Sequence, residues 1–455
     1  MAGVVDRPVR WWRGIGSPRS RRILLLVLLV GGGLRVAWVA HAGVPPRFAG
    51  DPEAYLLQGE TLARGKGYTN PLIDIENAIR KRDHQPPLAR QPSSFYPPGY
   101  PVFIAGVAWV VWHSPIADGS VVRAVGYAQA ILGVLTILLA FALARRVFDT
   151  RVGLVAAAIV AVYPNLITTT ATLQLETVFI ALSLATLLVL LPGATGADPR
   201  VRRLVAGGAM TGVVALVRPT IALLLFAFLA TRVLARRPWR ETLVAFATVA
   251  LAMVAVVVPW TIRNAVELHA FVPISTGIGP ALCMSRNVEA TGGLDTGILE
   301  RRCKPAHLPA STAKADGEVN TYATRQAIQW VVHHPVGELR MWFWRTDLAY
   351  QRDTSGLDDF GGSMDPRWRG VAAALSDGAA YVVLGFAAIG VVMLVARRRP
   401  EGTFLLGSTV AFAAVPVILF GDPRYRVPAE PLFAILAAAG LCVAIGEARR
   451  GTEPG

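Results

Sequence analysis

RRILLLVLLVGGGLRVAWVAHAGVPPRFAGDPEAYLL, residues 21–57, carries the fold in its two halves. Residues 23–42 are apolar except for Arg35 and His41, and Gly50-Asp51-Pro52-Glu53 follows. A run of roughly 20 apolar residues is what a helix needs to cross about 30 Å of hydrocarbon. Arginine and lysine mark the cytoplasmic side of such spans. The N-terminus carries Arg7, Arg10, Arg13, Arg19, Arg21 and Arg22, so it is expected inside, and the first span leads out. Ala40-His41-Ala42 has the small-residue pattern of a signal-peptidase site. Arg35 within the run, and the run's length, favour an uncleaved anchor instead.

The same alternation continues along all 455 residues, of which 53% are apolar and only 16% charged. A soluble domain carries nearer a quarter charged. The formal charge of +15 sits mostly in short arginine clusters between apolar runs. That distribution marks cytoplasmic loops and excludes nucleic acid as the partner. The fold class expected is therefore an all-α polytopic membrane protein.

Spans are predicted near 23–42, 123–144, 152–171, 174–191, 241–260, 371–396, 402–420 and 427–446. Region 204–235 has Arg218-Pro219 at its middle and arginines on both flanks, so it reads as two short spans with Arg218 at the outer turn. Short or broken spans often mark binding sites. The total is ten, with both termini cytoplasmic in a plasma (inner) membrane. The apolar run 99–112 is too short to span and reads as an interfacial or re-entrant helix. The expected organisation is a cytoplasmic segment 1–22, a transmembrane region 23–260 with a first outer loop 43–122, an outer loop domain 261–370, a transmembrane region 371–446 and a tail 447–455. The four lysines (Lys66, Lys81, Lys304, Lys314) all fall outside, against the charge rule, though loops of this length translocate largely regardless of charge.

The distinctive polar motifs gather on the outer side. In GDPEAYLL, Asp51 could take a proton from a substrate hydroxyl at the membrane surface. Tyr55 could stack on a sugar. The same residues also read as an ordinary helix start, with Asp51 as cap and Pro52 first in the helix. GETLARGKGYTNP, 59–71, reads as a helix ended by Gly65 or Gly67. SSFYPPGYPVF, 93–103, reads as a rigid turn, with Tyr96 and Tyr100 suited to an interface. Glu176 lies at the outer start of a span, where an ionisable side chain points to function, a plain interfacial acid being the alternative. Arg218, Arg263, Arg424 and Arg426 also lie at outer span ends. Guanidinium groups suit phosphate oxygens, and headgroup snorkelling is the alternative. Cys283 and Cys303 share one outer loop and Cys442 falls in a span. A Cys283–Cys303 disulfide and two free thiols are both open. His333-His334-Pro335 reads as a helix end, and no histidine has metal-ligand spacing.

With GDPEAYLL, GKGY, YPPGYPVF, the Glu176 segment, VRP at 217–219, VPWTIRN, PISTGIGPAL and GDPRYRVPAEPLF in this order, the chain resembles the GT-C superfamily of membrane glycosyltransferases. The protein mannosyltransferase and aminoarabinose transferase branch is most similar. The resemblance implies a GT-C-type bundle and inverting transfer of one sugar from a polyprenyl-phosphate donor, outside the cytoplasm. The acceptor would be a cell-envelope lipid, glycan or protein. Asp51 matches the catalytic base and Glu176 the assisting acid of that family. Glu53, Tyr55, Tyr100, Arg218, Arg263, Arg424, Tyr425 and Arg426 are the substrate-binding candidates. Pro52 separates Asp51 from Glu53, where the mannosyltransferase branch often has adjacent acids. A divalent cation, Mg or Mn, is compatible with the carboxylates, and the arginines could do the same work. A lipid or solute transporter, or a non-catalytic envelope-assembly protein, is the alternative. A transporter should show midplane ionisable residues and a repeated half, and neither is clear.

Overall fold

The computed structural model describes residues 16–42, 50–71, 73–114, 120–197, 200–305, 313–360 and 364–450. Arg7, Arg10 and Arg13 of the expected cytoplasmic segment, and residues 451–455 of the expected tail, lie outside the described residues.

The apolar runs form helices because a helix bonds its own backbone, which hydrocarbon cannot do. In chain order they are α1 (Pro18–Ala42), α2 (Asp51–Ala63), α3 (Ile73–Arg82), α4 (Gly99–His113), α5 (Val121–Val147), α6 (Thr150–Val162), α7 (Pro164–Thr168), α8 (Glu176–Thr195), α9 (Val201–Ala215), α10 (Leu224–Leu234) and α11 (Trp239–Leu268). Then follow α12 (Ile278–Met284), α13 (Thr296–Arg302), α14 (Ala313–His333), α15 (Pro335–Tyr350), α16 (Pro366–Arg397), α17 (Pro400–Ala413) and α18 (Glu430–Arg450). The described residues contain no strand, only one isolated bridge between Thr69 and Pro92. The all-α polytopic membrane class is what the structure shows.

Among the described residues, seven helical stretches are long and apolar enough to cross a membrane, and an eighth is the bent pair α6 with 164–171. The ten expected segments are all helical, but α9 and α10, of 15 and 11 residues, are too short to be counted by length. Four expected boundaries move. The 152–171 segment bends by 61° at Pro164, whose missing N–H opens the helix there. The 241–260 segment continues to Leu268, since Pro259 lies inside α11 without ending it. The last two spans run 400–418 and 423–446, with a turn at Ala414 inside one and 3₁₀ turns at 423–429 opening the other. Within the expected loop domain 261–370 the described residues include α12 to α15, and α14 ends at His333 as expected.

α8 and α18 are the inner helices, and α1, α11 and α16 expose most of their apolar surface. Exposed Leu26, Leu251 and Val392 are the outward side chains of that lipid-facing surface. The inner helix α18 meets the outer helix α16 through glycine. A Cβ on Gly390 of α16 would overlap the Leu436 carbonyl of α18, and one on Gly440 the Phe386 carbonyl. Small residues let backbones touch where lipid supplies no hydrophobic drive. Arg35 of α1 is fully buried, and its guanidinium donates to the carbonyls of Gly31, Val160 and Ala161. That use is structural: it satisfies carbonyls at the end of α6, where the helix breaks.

Candidate active site

α2 begins with Gly50 at φ 78°, a conformation glycine reaches without strain, and with no side-chain cap. Asp51 is therefore not the cap that a helix-start reading expects. Its carboxylate is free to reach across the molecule. Tyr96 donates its hydroxyl to Asp51 Oδ1 at 2.7 Å, and Arg424 Nη1 donates to Oδ2 at 2.6 Å. Arg424 Nε also donates to Glu176 Oε1 at 2.8 Å, and Arg218 Nη1 approaches the same oxygen at 3.4 Å. Four segments remote in sequence thus meet in one Asp51–Arg424–Glu176–Arg218 network.

Each position has a local cause. Pro219 forces Arg218 into extended backbone (φ −151°, ψ 115°) at the α9 turn. Leu216, two residues earlier, accepts from Gly99 N at 2.7 Å, which docks the YPPG turn on the segment that carries Arg218. Pro423 opens a 3₁₀ turn that Asp422 caps by accepting from Arg424 N at 2.8 Å. Glu176 heads α8 with its side chain 1% exposed, while Asp51 is 39% exposed. A carboxylate this buried is tolerated because it is paired. Burial raises the Asp51 carboxyl, but the Arg424 charge and hydrogen bond, the Tyr96 hydroxyl and Arg218 more than reverse it, holding it below the usual carboxylate range.

The other expected substrate contacts divide sharply. Tyr425 joins the site, its ring 4.3 Å below the Arg218 guanidinium. Glu53 is partly exposed and has no ion-pair partner among the described residues. Tyr55 and Tyr100 are not open to a sugar. Tyr55 is buried with its ring 4.7 Å from Tyr96 and 5.0 Å from Tyr100, and Tyr100 donates to Gln129 Oε1. They form the wall that fixes Tyr96. Arg263 donates to the carbonyls of Tyr68 and Ser93 and to Ser94 Oγ, so it holds the outer-loop backbone rather than the carboxylates. Arg426 turns away altogether. It bonds Asp353 and approaches Glu430 at 3.7 Å, with Asn165 donating to both acids at 2.9 Å. Three residues per 3₁₀ turn separate positions 424 and 426 by about 120°, which is why neighbouring arginines of one motif face different partners.

A cavity of about 190 Å³ adjoins the network, lined by Glu176, Arg424, Gln174, Asp358, Asp359 and Asp422 among others. Glu176 Oε2 and Gln174 Oε1 are buried without a hydrogen-bond partner. Burial raises the Asp359 and Asp422 carboxyls, with Arg424 opposing in both. Tyr96, Asp359 and Asp422 are participants the sequence reading missed. Asp422 sat in the motif GDPRYRVP and was legible there; Asp359 had only an Asp-Asp pair in a polar loop as its signal. Among the described residues, no three His, Cys, Asp or Glu side chains could hold a metal ion. The positive charge between Asp51 and Glu176 is guanidinium.

Residues 97–262 match the family model for dolichyl-phosphate-mannose-protein mannosyltransferase. Solved structures match nearly the whole chain. The Archaeoglobus fulgidus oligosaccharyltransferase in its apo form is 14% identical, with a TM-score of 0.55 over 94% of this chain and 51% of that one. The same organism's oligosaccharyltransferase AglB with an inhibitory peptide and a dolichol-phosphate gives 0.56, at 14% identity and the same coverage. ArnT from Cupriavidus metallidurans in the apo state gives 0.52, at 15% identity, over 93% of this chain and 61% of that one. The chain spans about half the length of the oligosaccharyltransferases it matches. No curated protein sequence matches it. The molecule has the fold of the GT-C membrane glycosyltransferases, as its motifs led one to expect.

Proposed function

We propose that this chain is a glycosyltransferase that moves one sugar from a polyprenyl-phosphate donor to a cell-envelope acceptor at the outer face of the membrane, with inversion. The observation that carries this reading is the Asp51–Arg424–Glu176–Arg218 network, which pairs a half-exposed carboxylate with two guanidiniums beside a polar cavity. One similar structure, the archaeal AglB, binds a dolichol-phosphate, and the GT-C fold supports the same class of lipid carrier here.

In this mechanism Asp51 takes the proton of the acceptor hydroxyl as its oxygen attacks the anomeric carbon. The bond from that carbon to the phosphate oxygen breaks on the opposite side, and the phosphate leaves with both electrons. Arg424 and Arg218 stabilise that developing charge. Incoming phosphate competes with Asp51 for Arg424, which frees the carboxylate when donor is present. Glu176 holds both arginines in place. The unpaired acceptors Glu176 Oε2 and Gln174 Oε1 match a ligand rich in hydroxyl donors. The Cys283–Cys303 disulfide supports an outer location for α12 and α13, because the cytoplasm is reducing.

Asp51→Asn should lower transfer from a polyprenyl-phosphate sugar by about 10²–10⁴-fold while expression is unchanged; turnover near wild type would refute the base. Acceptor-dependent release of polyprenyl phosphate separates this enzyme from a transporter or an assembly protein, neither of which breaks that bond.

A further inference from the structure

A second cavity, of about 210 Å³, lies at the other end of the bundle. It sits where α5 turns into α6, where α16 ends and α17 begins, and beside the last turns of α18. Gly16, ahead of α1, lies against Thr150 at this same end. α1 runs from here toward Asp51, and α16 runs back from the Asp359 loop to here, so the two cavities occupy opposite ends.

Its lining mixes two chemistries. Arg151, Arg397 and Arg399 supply guanidinium, and Met393, Leu394 and Val443 of spanning helices supply apolar wall. None of the three arginine side chains hydrogen-bonds or pairs with another described residue. The one acid among the described lining residues is Asp149, whose Oδ1 caps α6 by accepting from Val152 N at 2.9 Å. Among the described lining residues three guanidiniums face one carboxylate, so the recess carries a net positive charge at the ends of helices long enough to span a membrane. Helix-end arginines usually reach outward into the headgroup layer. Here Arg151 at the start of α6 and the exposed Arg397 and Arg399 at the α16–α17 turn flank one recess with an apolar wall.

We propose that this cavity binds an anionic phospholipid, with the headgroup phosphate among Arg151, Arg397 and Arg399 and acyl methylenes against Met393, Leu394 and Val443. Basic recesses between spanning helices hold acidic headgroups by this combination. A free anion would gain nothing from the apolar wall. The bound lipid clamps the α5–α6 turn to the α16–α17 turn, which no ion pair among the described residues does.

The chain contains its own reporter. Cys442 lines the cavity and is the one cysteine outside the disulfide. Purified full-length protein in neutral detergent is titrated with phosphatidylglycerol, phosphatidylcholine or inorganic phosphate, and both maleimide labelling of Cys442 and the thermal midpoint are read. Phosphatidylglycerol alone should slow labelling and raise the midpoint. Each of R151Q, R397Q and R399Q should weaken that response roughly fivefold in lipid concentration. Equal responses to phosphatidylglycerol and phosphatidylcholine overturn the proposal, as does a full response to inorganic phosphate alone. Should the variants fail to fold, an unchanged Cys442 labelling rate in wild type with phosphatidylglycerol overturns it by itself.

Discussion

Arg424 and Arg426 stand two residues apart in one motif, and the structure gives them opposite work. Arg424 bridges Asp51 and Glu176 at the edge of a cavity. Arg426 is 2% exposed among Asp353, Glu430 and Asn165. Arg424→Ala should chiefly weaken donor use, measured as a rise in donor KM. It should also move the acid limb of the pH profile. Asp51 must be ionised to accept a proton, and Arg424 holds its carboxyl below the usual range against the effect of burial. Without that charge burial prevails, so the acid limb of kcat/KM should shift to higher pH. The sign for stability is the same. A carboxyl lowered on folding contributes stability that is complete above its unfolded value and lost as pH falls through the folded one. Arg426→Ala should behave differently. It leaves two buried acids without their cation, a loss of about 3–5 kcal/mol in unfolding free energy, with donor KM unchanged in the protein that folds. Equal KM effects in the two variants would contradict the division of roles.

At the scale of elements, the turns matter more than the spans. Gly50 starts α2 one residue before Asp51, Pro219 sets the extended backbone at Arg218, and Pro423 starts the turn that presents Arg424. These breaks were legible because glycine and proline carry their geometry in the residue itself. The bend at Pro164 was not, since the apolar run 152–171 continues through it, and neither was the continuation of α11 past Pro259. Outside the spans, Cys283 and Cys303 join α12 to the end of α13, closing a 20-residue separation. A loop of about that length implies roughly 3 kcal/mol of stabilisation. Cys283→Ser with Cys303→Ser should therefore lower the thermal midpoint. Labelling with a membrane-impermeant thiol reagent after reduction would report the outer location, and labelling only after permeabilisation would count against it.

For the whole molecule, hydropathy and charge were enough for the all-α polytopic class. Apolar surface must face lipid wherever the chain crosses it, so sequence composition reads membrane architecture directly. The arginine clusters gave an expectation of which loops share a side of the membrane. What they could not give is which side chains meet. Tyr55 and Tyr100 looked like sugar contacts and are packed wall; Arg263 and Arg426 looked like phosphate ligands and are backbone or core supports. Asp51 and Arg424 are separated by 373 residues, yet bonded at 2.6 Å. Sequence alone determined the class of fold, the glycine and proline turns beside the site residues and the end of the molecule on which the polar groups gather, because lipid and backbone chemistry act on each segment separately. Only the tertiary structure decided that Asp51, Glu176, Arg218 and Arg424 form one network and that Arg426 does not, because that depends on how helices distant in the chain rotate and pack against one another.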